Sequence, residues 1–235
     1  GEVKKRIAAG EKIFNLTVGD FNPEIFPIPK VLRDLIIKNY QLGTTNYPMA
    51  NGEPALRESI ADMFNKDFNT NYIADEIVVG AGGRPLLYCI FETIIDDGDG
   101  VVYPVPSWNN EHYCILTNAK SYLVETRAEE HFMPQPDDLK PFLKNANLLA
   151  INSPLNPSGT VMSKETLVEI CEMVLEENHR RGPEKKSLYL LFDQIYSKLL
   201  FGKEKQYNPV GLFAEMKPYT ITVDGISKWL AGTGV

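Results

Sequence analysis

The chain has 235 residues, is 43% hydrophobic and carries a formal net charge of −7. That is enough apolar content for a sizeable core in one or two domains. The acidic balance lacks the basic face of a nucleic-acid binder, and no apolar run reaches the roughly eighteen residues of a membrane span, so neither partner is expected.

Residues 1–30 read as irregular, apart from a helix-like charged start. LTVGD, Leu16 to Asp20, has the look of a short strand entering a glycine turn. FNPEIFPIP carries Pro23, Pro27 and Pro29, which keep it extended or turning. From Lys30 to Asn39, Val31, Leu32, Leu35 and Ile36 recur at helical spacing, and Gly43 closes the segment. A loop follows, then an amphipathic helix from Glu53 to Phe64 with Pro54 near its start.

From Glu76 strands and helices alternate. EIVVG, VVYPV, SYLVE, NLLAIN, LYLLFD and YTITVD read as strands. Between them, helices are expected over Arg84–Ile95, Trp108–Leu116, Gln135–Leu143 and Ser163–Arg181, the last with Ser163 as N-cap. This alternation predicts an α/β fold, a mostly parallel central sheet with helices on both faces.

In such a sheet the turns after the strands open on one rim, where ligands bind. LYLLFDQIY ends its apolar run in Asp193, with Tyr196 three residues on. Asp193 reads either as a helix cap or as a carboxylate facing a cationic ligand. VVGAGGRP offers glycine backbone and a helix start to an anion. It is no dinucleotide fingerprint, because Pro85 stands where GxGxxG needs its third glycine. Trp108 in VPSW either stacks on a flat ligand or plugs the sheet end. In NSPLNPSG, Asn156 precedes Pro157, which drives its backbone away from helix and frees its side-chain amide for a ligand oxygen. Lys228 in DGISKW is either solvated or an amine nucleophile in a partly dry site.

Cys89, Cys114 and Cys171 are widely spaced, as are His112, His131 and His179. Such spacing suits a reducing, cytoplasmic compartment and offers no metal site. The first twelve residues lack the apolar core of a signal peptide.

NSPLNPSGT, DQIY and GISK, in this order on a parallel sheet, resemble the class I and II aminotransferases, fold-type I enzymes that use pyridoxal 5'-phosphate. The likeness, nearest to the aspartate aminotransferases, runs from LTVGD to SKWLAGTG. It implies transfer of an amino group between an amino acid, an acidic one such as aspartate included, and a 2-oxo acid. Lys228 is then the Schiff-base lysine and proton carrier, and Asp193 faces the pyridine nitrogen. Asn156 and Tyr196 meet the ring's phenolic oxygen, Trp108 stacks on the ring, and Gly83, Arg84 and Ser227 belong to the cofactor's surroundings. Gly19, with Trp108 and Asn156, lies next to the substrate. Tyr47, in NYPMANGEPALR, reaches the partner's cofactor phosphate across a homodimer. Arg84 is a candidate for the side-chain carboxylate of an acidic substrate.

The same motifs serve pyridoxal-phosphate β-eliminating lyases and decarboxylases, and a non-catalytic relative is a further alternative. Two departures stand out: Gly225 replaces a common serine, and DQIY replaces the usual DEIY, with Gln194 expected to point away from the ring. The resemblance assigns residues 1–30 to a small domain and 31–235 to the cofactor-binding large domain. A phosphate-binding arginine is expected just beyond Val235, and the arginine for the substrate α-carboxylate in the remainder of the small domain.

Overall fold

The structure, a computed structural model, describes residues 1–15 and 19–234. Most of the strand expected at LTVGD lies outside the described residues. By its contacts the chain forms two compact units, Asn46–Gly225 and Gly1–Thr45 with Ile226–Val235.

The larger unit is built on a five-stranded, all-parallel sheet. Its strands are β1 (Gly100–Val105), β2 (Lys120–Glu125), β3 (Leu148–Asn152), β4 (Tyr189–Asp193) and β5 (Thr220–Val223), in the spatial order β2-β1-β3-β4-β5. Successive side chains of a strand point to opposite faces, and both faces here are covered. Leu148 and Ala150 of β3 and Leu191 of β4 pack with Leu87, Phe91 and Tyr113. Leu149, Ile151, Leu190 and Phe192 pack on the other side with Leu139, Leu167, Ile170 and Val174. The central strands are therefore apolar up to the polar residues at their carboxyl ends, Asn152 and Asp193. Phe192 is completely buried, which contributes roughly 1.5–3 kcal/mol.

The helices of this unit are α3 (Pro54–Phe68), α4 (Gly83–Ile94), α5 (Asn110–Leu116), α6 (Pro136–Leu143), α7 (Lys164–Arg181) and the short α8 (Pro209–Leu212). Pro54 starts α3, where its missing N–H costs nothing, and Asn69 closes it in the left-handed region, φ 57°. Ser163 caps α7 as expected, its Oγ accepting the Thr166 N–H at 3.0 Å. Cys114 and Cys171 are buried and Cys89, on α4, is exposed. Burial raises the Cys171 thiol to about 12 and also pushes Cys114 up.

EIVVG does not join the sheet. Its Val79 N–H bonds the Asn51 carbonyl at 3.1 Å, and Val78 is exposed. A short apolar run needs a neighbouring strand to become a ladder, and among the described residues this segment has none.

The smaller unit contains two further helices, α1 (Glu2–Ala8) and α2 (Lys30–Gln41), and the single turn Ile226–Trp229. The first of these is the helix-like charged start of the chain. Its local contacts include a forked Arg6–Glu11 ion pair (2.6 Å) and an edge-on Phe21–Phe26 ring pair at 5.5 Å. No described helix in either unit is long and apolar enough to cross a membrane.

Candidate active site

The strand order reverses between β1 and β3. The link from β1 to β2 runs through α5 on one face, while α6 and α7 lie on the other. The turns after β1 and β3 therefore part, leaving the crevice in which open α/β sheets hold ligands. Trp108 follows β1 and Asn156 follows β3, so each candidate stands at this rim.

Strand register assembles the rest. Asn152 at the end of β3 lies beside Asp193 at the end of β4, and Asp193 lies beside Val223 of β5. Asn152 donates from Nδ2 to the Asp193 carbonyl at 2.9 Å, while its Oδ1 accepts the Asn156 N–H at 2.7 Å. The Ser153 N–H also reaches the Asp193 carbonyl, at 3.0 Å. Ser153 is buried, and its Oγ accepts the Met162 N–H at 3.0 Å, tying down the far end of the same loop. Asn156 then donates to the Tyr196 hydroxyl at 3.4 Å, a long bond that still places the two side chains together.

Asp193 keeps some surface at the rim, yet protein closely surrounds its carboxyl. Oδ1 accepts the Ile195 N–H at 3.0 Å, the local turn that aspartate favours. Burial, with a smaller contribution from the charge of Asp224, pushes this carboxyl up to about 6. Among the described residues no basic side chain pairs with it. Burial also raises the Tyr196 and Tyr113 phenols, and both feel the charge of Asp193.

Across the crevice, Gly82 precedes α4 with φ 102°, which glycine alone adopts without strain. No side chain caps this helix, so the Gly83 and Arg84 amides head an uncapped first turn. A Cβ at Gly82 or Gly83 would meet nothing within 4 Å. The Arg84 guanidinium lies over the Trp108 ring, 4.9 Å from its centroid. Tyr113, close enough for Arg84 to lower its phenol, was not anticipated from the sequence, because it sits on the apolar face of α5.

In the smaller unit Lys228 donates from Nζ to the Gly19 carbonyl at 3.2 Å, bringing two candidates together. Ser227 adjoins Lys228 in the single turn Ile226–Trp229. Tyr47, in the larger unit, is fully exposed, and no contact among the described residues joins it to the other candidates. Asn152, Ser153 and Asp224 went unassigned in the sequence; only the asparagine-rich turn chemistry of NSPLNPSG hinted at the first two.

The arrangement fits a flat, cationic, phosphate-bearing group. A desolvated carboxylate with no cation against it among the described residues, a paired amide and phenol, an indole and an open helix start all edge one crevice.

The sequence profile of "Aminotransferase class I and II" matches residues 11–235. The aspartate aminotransferase of Bacillus sp. (strain YM-2) is 30% identical over 235 residues, 99% of this chain and 57% of that protein. The probable aspartate/prephenate aminotransferase of Aquifex aeolicus (strain VF5) gives the same identity and coverage, 30%, 99% and 57%. Among solved structures, the Thermus thermophilus aspartate aminotransferase with maleate superimposes with a TM-score of 0.88 at 27% identity, over 99% of this chain and 57% of its own. The chain thus spans little more than half the length of the curated relatives it matches. With the five-stranded parallel sheet and the rim motifs in one order, these matches establish that the chain belongs to the class I and II aminotransferases, a family dependent on pyridoxal phosphate.

Proposed function

We propose that the protein to which this chain belongs moves an amino group between an amino acid and a 2-oxo acid, with pyridoxal 5'-phosphate held at the rim. Asp193 carries the proposal: a carboxyl raised to about 6 by burial, with no cation against it among the described residues, suits a protonated ring nitrogen. When bound, the cofactor supplies an electron sink for charge developing at the substrate carbon.

This chain's residues prepare that chemistry. Asp193 holds the proton on the ring nitrogen. Asn156 and Tyr196, already paired, present an amide N–H and a phenol to the ring oxygen. The uncapped amides of Gly83 and Arg84 receive the phosphate. Trp108 covers one face of the ring, and Lys228, beside Ser227, supplies the amine that anchors the cofactor and carries a proton at the substrate carbon. Residues 31–235 belong, on this reading, to a cofactor-binding large domain and 1–30 to a small one. The fully exposed Tyr47 and the exposed Val31 and Leu35 support a homodimer, in which Tyr47 reaches the neighbouring site. Gly19 borders the substrate, and Arg84 favours an acidic one such as aspartate, because its planar fork matches a carboxylate.

The test is borohydride reduction of the full-length protein with pyridoxal phosphate, followed by peptide mapping. The label is expected on Lys228. A label on another lysine, or none, refutes the assignment.

A further inference from the structure

We propose that Asp224 is a positioning residue for Asp193: a second carboxylate, locked one strand over by Gln194 and Ser197, that deepens the negative potential at the rim. It rests on the cofactor reading above and concerns how firmly the ring nitrogen keeps its proton.

The geometry begins at the β4–β5 edge. Asp193 pairs with Val223, and the next bond along, from the Gln194 N–H to the Val223 carbonyl, is 2.9 Å. Asp224 therefore leaves β5 one residue beyond the strand neighbour of Asp193. Its Oδ2 accepts from Gln194 Nε2 at 3.1 Å and from the Ser197 hydroxyl at 2.9 Å, and its Oδ1 from the Gly225 N–H at 2.7 Å.

A chain of donors fixes the direction of these bonds. The Val210 N–H donates to Asn208 Oδ1 at 2.9 Å, which turns Asn208 Nδ2 toward Gln194 Oε1 at 3.0 Å. That leaves Gln194 Nε2 facing Asp224. Flipping the Gln194 amide would set acceptor against acceptor at Asp224 and donor against donor at Asn208. Gln194 and Asn208 are almost wholly buried, so neither mismatch finds water. The place where this chain departs from DEIY is thus the residue that orients a donor onto Asp224.

The two carboxylates have unequal support. Asp224 has three donors, and Lys198, itself paired with Asp67, pulls it down from nearby. Among the described residues Asp193 has a single donor, the Ile195 N–H. Burial is the largest influence on both and raises both. The other titratable groups near the pair are the Tyr196 and Tyr113 phenols on the side of Asp193. On the side of Asp224, Tyr72 reaches the network through Thr222, whose hydroxyl accepts from Asn208. The better-supported Asp224 holds the fixed charge, and Asp193 is left as the member that binds a proton or faces a cation.

The experiment uses the full-length protein and three variants: Asp224→Asn, Ser197→Ala, and the exchanged pair Gln194→Glu/Asp224→Asn, which returns a carboxylate to the network. In the cofactor-free protein, carbon-13 carboxyl NMR, assigned with Asp193→Asn, follows the midpoint of Asp193. It should fall by about one pH unit in Asp224→Asn, less in Ser197→Ala, and recover in the exchanged pair. In the holoenzyme, nitrogen-15 NMR of labelled pyridoxal phosphate should show the ring proton lost at lower pH in the same order. An unchanged Asp193 midpoint in Asp224→Asn overturns the proposal. If that variant does not fold, an unchanged midpoint in Ser197→Ala does so. A shifted midpoint in a protein that binds no cofactor upholds the coupling and refutes the cofactor reading instead.

Discussion

The two sides of the crevice are built in opposite ways. On the β3–β4–β5 side nearly every polar group is engaged: Asn152, Ser153, Gln194 and Asn208 tie turns to neighbouring strands. On the α4 side the turn is glycine, no side chain caps the helix, and a Cβ would meet open space at Gly82 and Gly83. The difference follows from charge. A partly desolvated carboxylate must be gripped or it neutralises itself. An anion cradle made of backbone amides must be left vacant by the protein's own side chains, because any cap would compete for them.

The largest expected effect strikes the gripped side from beneath. Phe192→Ala should cost roughly 3–5 kcal/mol of stability, since the ring is fully buried directly before Asp193. Urea unfolding measures this, and a loss under about 1 kcal/mol would mean that the rim does not stand on that core.

Next comes the carboxylate. Asp193 sits at about 6 when folded, against an ordinary 3.8. Between those values the folded state binds more protons than the unfolded one, so stability should fall as pH rises through that window. The whole drop amounts to roughly 3 kcal/mol at most. In the cofactor-free protein Asp193→Asn should flatten this slope; an identical slope in the variant would put the titrating group elsewhere.

The smallest effect belongs to the open side. Gly83→Ala places its methyl in free space at a helix start, so stability should change by less than about 1 kcal/mol. Cofactor affinity, measured by equilibrium dialysis, should nevertheless weaken. Marked destabilisation would show that the α4 turn is packed, and would erase the contrast between the two sides.

The sheet was largely legible because its central strands are apolar on both faces, so VVYPV, NLLAIN and LYLLFD can hardly be anything else. EIVVG has the same composition and failed, since a strand exists only beside a partner. Pro209–Leu212 and Ile226–Trp229 are too short for periodicity to register. Turn chemistry and a family resemblance singled out Asp193, Asn156 and Tyr196, and in the structure Asn152 joins the first two while Asn156 reaches Tyr196. Asn208 and Asp224 were not readable, because their importance comes from which strands lie side by side. Arg84 and Trp108 were each singled out in the sequence, but their stacking on one another was not, because it joins residues far apart in the chain.

The three thiols differ in a way that an experimenter can exploit. Cys171 and Cys114 are buried and held protonated, whereas Cys89 stands exposed on α4. A maleimide dye at neutral pH should therefore attach to this chain at one site. That site lies on the helix whose first turn carries Gly83 and Arg84, so its emission would report on the open side of the crevice as it fills, without any engineered label.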